Sequence, residues 1–145
     1  MLFLGAIPVF GQNRVAIDSL LALIPENPDT ANTKELFNLA NEYTSFHSHN
    51  DSVTHIIDQI LEIADQYDHP LSYVRGYFLK GIGAHRNQNI EASRQWFEKA
   101  YTYLDTTSFT IWQVAIPNAL GVIYYSLEQN EEAIKYYHIA MHAAE

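Results

Sequence analysis

Histidine is the most conspicuous chemical resource of this chain. Seven of the 145 residues are His. His47, His49 and His55 surround one short stretch with Asp51 among them, and His138 and His142 stand four apart. Two imidazoles at that spacing share a helix face and can chelate a divalent cation, with carboxylate as the usual companion ligand. A His-mediated metal- or small-molecule-binding function is therefore one reading of these residues. The zinc-peptidase pattern is incomplete, because Ile139 rather than Glu follows His138. Solvated loop and helix-surface histidines account for the same pattern, so no metal ligand and no cofactor is assigned. Glu131-Glu132 open a helix, where the macrodipole favours acids without any catalytic role. There is no Cys, hence no disulfide framework, thiolate metal site or thiol nucleophile. Neither a Gly-rich phosphate loop nor a Gly-x-Ser-x-Gly elbow occurs. No catalytic residue emerges, and the chain is expected not to be an enzyme.

The elements that would carry these residues are helices. Ile17, Leu20, Leu21 and Ile24 recur at i, i+3, i+4, i+7, which predicts a short amphipathic helix over 13–24, ended by Pro25 and Pro28. A helix from about 30 to 46 turns Leu36, Leu39, Ala40 and Tyr43 inward. After His47–Asp51, with Asn50 or Asp51 as cap, the next helix buries Val53, Ile56, Ile57, Ile60, Leu61 and Ala64. His69-Pro70 and Asp105–Ser108 break the chain. Helices near 71–86 and 90–104 follow, with Asn89 as cap, then helices over 109–127 and 131–144, with Asn130 as cap. Pro117 is expected to kink its helix or mark its true start. No strand pattern competes.

Length suits one domain, and 48% apolar residues suffice for a core. The net charge of −9 is lopsided. Residues 1–70 carry ten acids against Arg14 and Lys34, net −8, and residues 71–145 carry seven acids against six bases, net −1. That balance excludes the basic footprint of a nucleic-acid binder.

The helical segments repeat. Leu120-Gly121-x2-Tyr124 is followed by Ala133-x3-Tyr137-x2-Ala140. Gly81, Ser93, Phe97 and Ala100 lie 40 residues earlier, and Leu39-Ala40-x2-Tyr43 with Val53-x3-Ile57-x2-Ile60 forms a further copy, with Ala40 lying 41 residues before Gly81 and one extra residue between the helices. The pattern resembles the tetratricopeptide repeat, Leu-Gly-x2-Tyr then Ala-x3-Phe, with Tyr in the Phe place and a period longer than the usual roughly 34. Trp is missing from the first signature position, Lys80 replaces Leu, and Pro117 interrupts the third copy. The resemblance implies an all-α solenoid of three antiparallel helix pairs (about 31–69, 70–107 and 108–145) preceded by a short helix and turn at 12–30. It also implies a protein- or peptide-binding scaffold, because solenoids present extended concave surfaces.

In that family the first helix of each pair lines the concave side. The corresponding faces are Lys34, Phe37, Asn41 and Thr44, then Arg75, Phe78, Ile82 and His85, then Ala115, Asn118, Val122 and Tyr125. Aromatics mixed with two cations and two amides suit a protein or peptide segment. Phe37, Phe78 and Tyr125 are expected to face one groove, with Arg75 and His85 at its polar edge. The carboxylate clamp of chaperone-binding members would fit Asn41 but requires Lys where Phe37 stands. The chain also resembles the repeat regions of Bacteroidetes-type envelope sensor proteins, through Phe10-Gly11-Gln12, Ile17-Asp18-Ser19-Leu20-Leu21, the Pro25/Pro28 turn and runs such as Glu98-Lys99-Ala100. That resemblance implies an input module for signal transduction.

Residues 1–11 are apolar and end in Val9-x-Gly11, which reads as a signal-peptide remnant cut after Gly11, although no basic residue precedes the run. The expected localisation is secreted or periplasmic, otherwise cytoplasmic. The run is shorter than the ~20 residues of a membrane span. Tyr136, Ile139 and Ala143 place apolar groups on the last helix, so more repeats or an output domain are expected to follow.

Overall fold

The computed structural model describes residues 14–46, 51–104 and 110–145. The expected signal segment, His47, His49 and the Asn50 cap lie outside them. Within the described residues the protein is helical, with no strand. Helix α1 covers 14–23. A 3-10 turn, Thr30–Asn32, is held by an Asp29 capping box and leads into α2, Thr33–Phe46. Then come α3 (Asp51–Tyr67), α4 (Pro70–Arg86), α5 (Ile90–Thr102), α6 (Trp112–Ser126) and α7 (Asn130–Ala144). Each helix from α2 onward packs on the next, most extensively within α4/α5 and α6/α7, and α2 also touches α4.

Two apolar clusters hold the helices together. One joins Leu36, Leu39 and Ala40 of α2 to Ile56, Ile57, Ile60 and Ile63 of α3 and Leu79 of α4. The other joins Val74, Phe97 and Ala100 to Trp112, Ile116, Leu120, Ile123, Tyr124 and Ala133. Ile17, Leu20 and Ile24 of the first segment pack on the former cluster. Leu21, expected in the same stripe, is exposed. It lies one position past Leu20, about 100° further round the helix and off the buried side.

The forty-residue register is visible in two turns. Between α4 and α5, Asn89 N–H donates to the Ala84 carbonyl at 2.9 Å and Gln88 N–H to His85 at 3.0 Å. Between α6 and α7, Gln129 N–H donates to Tyr124 at 2.9 Å and Glu128 N–H to Tyr125 at 3.0 Å. These are paired Schellman bonds, which satisfy the last carbonyls of a helix and require a left-handed residue. Gln88 (φ 60) and Glu128 (φ 59) occupy that position. A side chain there is strained where Gly is not. Gln88→Gly and Glu128→Gly should therefore each stabilise the fold by up to about 1 kcal/mol, read as a rise in the urea midpoint at unchanged m-value.

The start of α5 is capped by the Asn89 side chain, which accepts from Ala92 N–H. For α7 the cap is Gln129, without a side-chain bond, and the expected cap Asn130 is the first helical residue. The Schellman turn fixes Gln129 as the residue after the left-handed one, which shifts the helix start by one. Asp51 likewise lies inside α3 as its first residue. Pro117 is buried within α6 and does not mark its start, which is Trp112.

Two glycines let the paired helices approach. A Cβ on Gly81 would sit 2.5 Å from the Phe97 ring, and one on Gly121 would sit 2.7 Å from the Tyr137 ring. The same offset separates each glycine from its aromatic partner, so the contact recurs forty residues on. Ser93 Oγ adds a 2.8 Å hydrogen bond to the Gly81 carbonyl.

Candidate partner-binding surface

The residues expected to line a groove divide into two groups. Lys34, Asn41, His85, Asn118, Val122 and Tyr125 are exposed. Phe37, Arg75, Phe78 and Ile82 are partly buried, each for a definable reason. The Phe37 ring meets Trp112 edge-on at 5.2 Å and Phe78 at 6.2 Å, and Phe78 meets Trp112 at 5.1 Å and Phe97 at 5.5 Å. These rings knit α2, α4, α5 and α6 together, so Phe37 and Phe78 are packing groups rather than open anchors. Ile82 packs against the second cluster. Tyr125, by contrast, is 67% exposed and has no ring partner among the described residues.

Arg75 belongs to a polar knot rather than to a groove edge. Its Nη1 donates to Thr33 Oγ1 at 2.7 Å. Thr33 Oγ1 also accepts from Ser72 Oγ at 3.1 Å and donates to the Thr30 carbonyl. Ser72 Oγ lies 2.6 Å from His69 Nδ1, and a proton on Nδ1 closes the chain of bonds. Thr33 and Ser72 are fully buried. A Ser-His pair at this distance has the geometry of a nucleophile and base, but no substrate carbonyl can reach a hydroxyl without exposure. The knot ties the start of α2 to the start of α4.

His69 is the N-cap of α4 and is held below its ordinary value of 6.5, first by burial and then by Arg75. The positive end of α4 acts in the same direction. Above pH 6.5 the ring is neutral both folded and unfolded. As pH falls through that value the unfolded chain takes up the proton first, so stability drops until the folded ring also protonates. The urea midpoint should be lower at about pH 5.5 than at about pH 7.5. His69→Asn, which places a good N-cap residue without a titrating ring at the start of α4, should flatten that slope.

An aromatic ladder on α4/α5 was not anticipated. Tyr73 stacks on Tyr103 at 4.4 Å and Tyr77 on Trp96 at 5.7 Å, with Lys99 Nζ 4.7 Å above Tyr77 and Lys80 Nζ 4.5 Å above Trp96. Tyr73 also donates to Asp65 at 2.6 Å, which pushes its hydroxyl up to about 12. The signal was the i, i+4 pair Tyr73/Tyr77 facing Trp96, Lys99 and Tyr103 at i, i+3, i+7.

An open cleft of about 1180 Å³ lies where the last turns of α2 and α4 meet α3 and α5. Thr44 and Ile82, two positions of the expected concave faces, line it together with Lys80, Arg86, Asn87 and Trp96. Arg86 Nη1 reaches across it to the Thr44 carbonyl at 3.3 Å. Among the described residues no cluster of three or more His, Cys, Asp or Glu could hold a metal ion. His55, His138 and His142 are exposed, and His142 Nδ1 lies 3.4 Å from Glu145. No described helix is long and apolar enough to cross a membrane.

Comparison with protein-family models, with characterised proteins and with solved structures returns no match.

Proposed function

We propose that this chain is a tetratricopeptide-like helical scaffold that binds a protein or peptide segment along the exposed side of α2, α4 and α6. The observation that supports the reading is the forty-residue recurrence of turn and helix contact: Gln88 and Glu128 left-handed, Gly81 against Phe97, Gly121 against Tyr137. A repeated unit of this kind presents the same side of each first helix to one surface. On that surface Asn41, His85, Asn118 and Tyr125 stand exposed, a polar row ending in an aromatic anchor. In an envelope sensor such a row would be the input surface.

The test is selection of binders from a displayed library of random peptides, followed by titration. Peptides are expected to be enriched, and Tyr125→Ala should weaken them at least about tenfold, since a buried aromatic anchor contributes ~2 kcal/mol. The melting curve should move little, because Tyr125 is 67% exposed. Tyr67→Ala, at another exposed tyrosine on α3, should bind normally. Failure of enrichment, or equal losses at Tyr67 and Tyr125, contradicts the reading.

A further inference from the structure

Charge on this acidic chain is unevenly shared between the helices. Residues 70–104, which make up α4, α5 and the turn between them, carry Arg75, Lys80, Arg86, Arg94 and Lys99 against Glu91 and Glu98, net +3. All other residues carry fifteen acids against Arg14, Lys34 and Lys135, net −12. Two of the five α4/α5 cations are used within the fold. Arg75 is turned into the knot with Thr33, and Arg94 pairs with Glu91 and Glu98. Among the described residues the remaining ion pairs are those of Lys135 and His142. Lys80, Arg86 and Lys99 therefore have no carboxylate partner there.

These charges gather at the open cleft. Lys80 and Arg86 line it with Trp96, Asn87 and Asn89. Lys80 Nζ is held 4.5 Å over the Trp96 ring of α5, and Lys99 Nζ lies 5.7 Å from the same ring. A ring face fixes an ammonium in place without cancelling its charge. Arg86 reaches the other way, to the Thr44 carbonyl of α2, which is a neutral acceptor. The one carboxylate among the described lining residues, Asp51, belongs to the first turn of α3, where the helix dipole favours it.

We infer that the segment bound along the first helices is acidic, and that its carboxylates seat on Lys80 and Arg86 in this cleft. The inference rests on the peptide-binding reading above. Thr44 and Ile82 belong both to the expected concave faces and to the cleft wall, so a segment lying along α2 and α4 enters the cleft. The two cations stand six residues apart on α4, ~9 Å along its axis, and reach toward opposite walls. One small anion does not meet both groups so held. Two acidic side chains two or three residues apart in an extended segment span ~7–10 Å and do. The acidic remainder of the molecule repels such a segment, so the α4/α5 cations steer it to one place.

Sequencing the peptides selected from the displayed random library, followed by titration, tests this. The selected peptides are expected to carry an excess of Asp and Glu. Lys80→Gln with Arg86→Gln should weaken them about tenfold or more, with helicity unchanged because Gln keeps helix propensity. Raising salt from ~50 to ~500 mM should weaken them severalfold. Lys135→Gln with Arg14→Gln changes net charge equally and should leave binding intact. Enriched peptides without an acidic excess overturn the inference, as do acidic ones unaffected by the cleft variant or equally weakened by the control variant. In those cases a loss on Tyr125→Ala still leaves the peptide-binding reading standing, whereas a library with no enriched peptide ends both. Displacement of a selected peptide by inorganic phosphate at matched ionic strength would point to a single-anion site and also overturn it. So would salt-sensitive dimerisation of the chain alone, lost in the cleft variant, since the occupant would then be the acidic half of a second copy.

Discussion

Trp112→Ala should remove about 3–5 kcal/mol of stability, the range for truncating a buried aromatic. The ring is buried at the first position of α6. It stands edge-on to Phe37 of α2 at 5.2 Å and against Phe78 of α4 at 5.1 Å. Its loss removes one ring contact from each of Phe37 and Phe78 and leaves a cavity where three helices meet, and the surrounding backbone relaxes only partly. Urea denaturation reads the loss as a lower midpoint. Phe37→Ala and Phe78→Ala should destabilise in the same experiment, which disqualifies both as probes of partner binding. A Trp112→Ala variant as stable as the parent would mean that these rings do not pack as described.

The second large effect is a contrast between equivalent positions. Gly81→Ala should destabilise by about 1–2 kcal/mol, whereas Gly121→Ala should be close to neutral. Both changes gain helix propensity, and both place a Cβ against an aromatic ring, at 2.5 Å from Phe97 and 2.7 Å from Tyr137. Phe97 is enclosed on all sides and cannot move without disturbing Leu120 and Ile116. Tyr137 is 37% exposed and can swing outward. Equal melting shifts for the two variants would contradict the assignment of Phe97 as covered and Tyr137 as open.

The helices, their order and their register were legible in the sequence for a physical reason. Gly81 and Gly121 stand where helices approach most closely, and Phe97 and Tyr137 fill the space beside them, so residue type and spacing together encode the contact. Asn89 was legible as a cap because its side chain performs the capping. Gln129 was not, because the turn selects it by backbone geometry and its side chain makes no capping bond. The apolar side of α7 was misread for a related reason. Apolar residues run round nearly the whole helix, from Ile134 and Tyr136 to Ile139 and Met141, so periodicity does not choose a face. Tyr136 turns inward to stack on Tyr124 at 5.4 Å and to meet Tyr101 at 5.7 Å. Ile139 and Ala143 are partly buried beside it, and Ile134, Tyr137 and Met141 are left outside. Tyr124 is fixed in turn by its bond to Glu98, and burial with that bond pushes its hydroxyl up to about 12.

The candidate groove was harder to read, because an aromatic on a helix face serves packing and binding equally well. The concave pattern placed Phe37, Phe78 and Tyr125 in equivalent roles. What separates them is Trp112, a residue remote in sequence from Phe37 and Phe78 that closes over both rings. No spacing rule within one helix reveals such a partner. Arg75 posed the same difficulty: its partner Thr33 lies on another helix.

Amide hydrogen exchange, measured with and without a library-selected peptide, tests the binding surface most directly. Slowed exchange concentrated in residues 34–44, 75–86 and 115–126, the exposed sides of α2, α4 and α6, is the predicted result. Protection confined to residues 51–67, 90–102 or 130–144, the second helices of the pairs, would contradict the account.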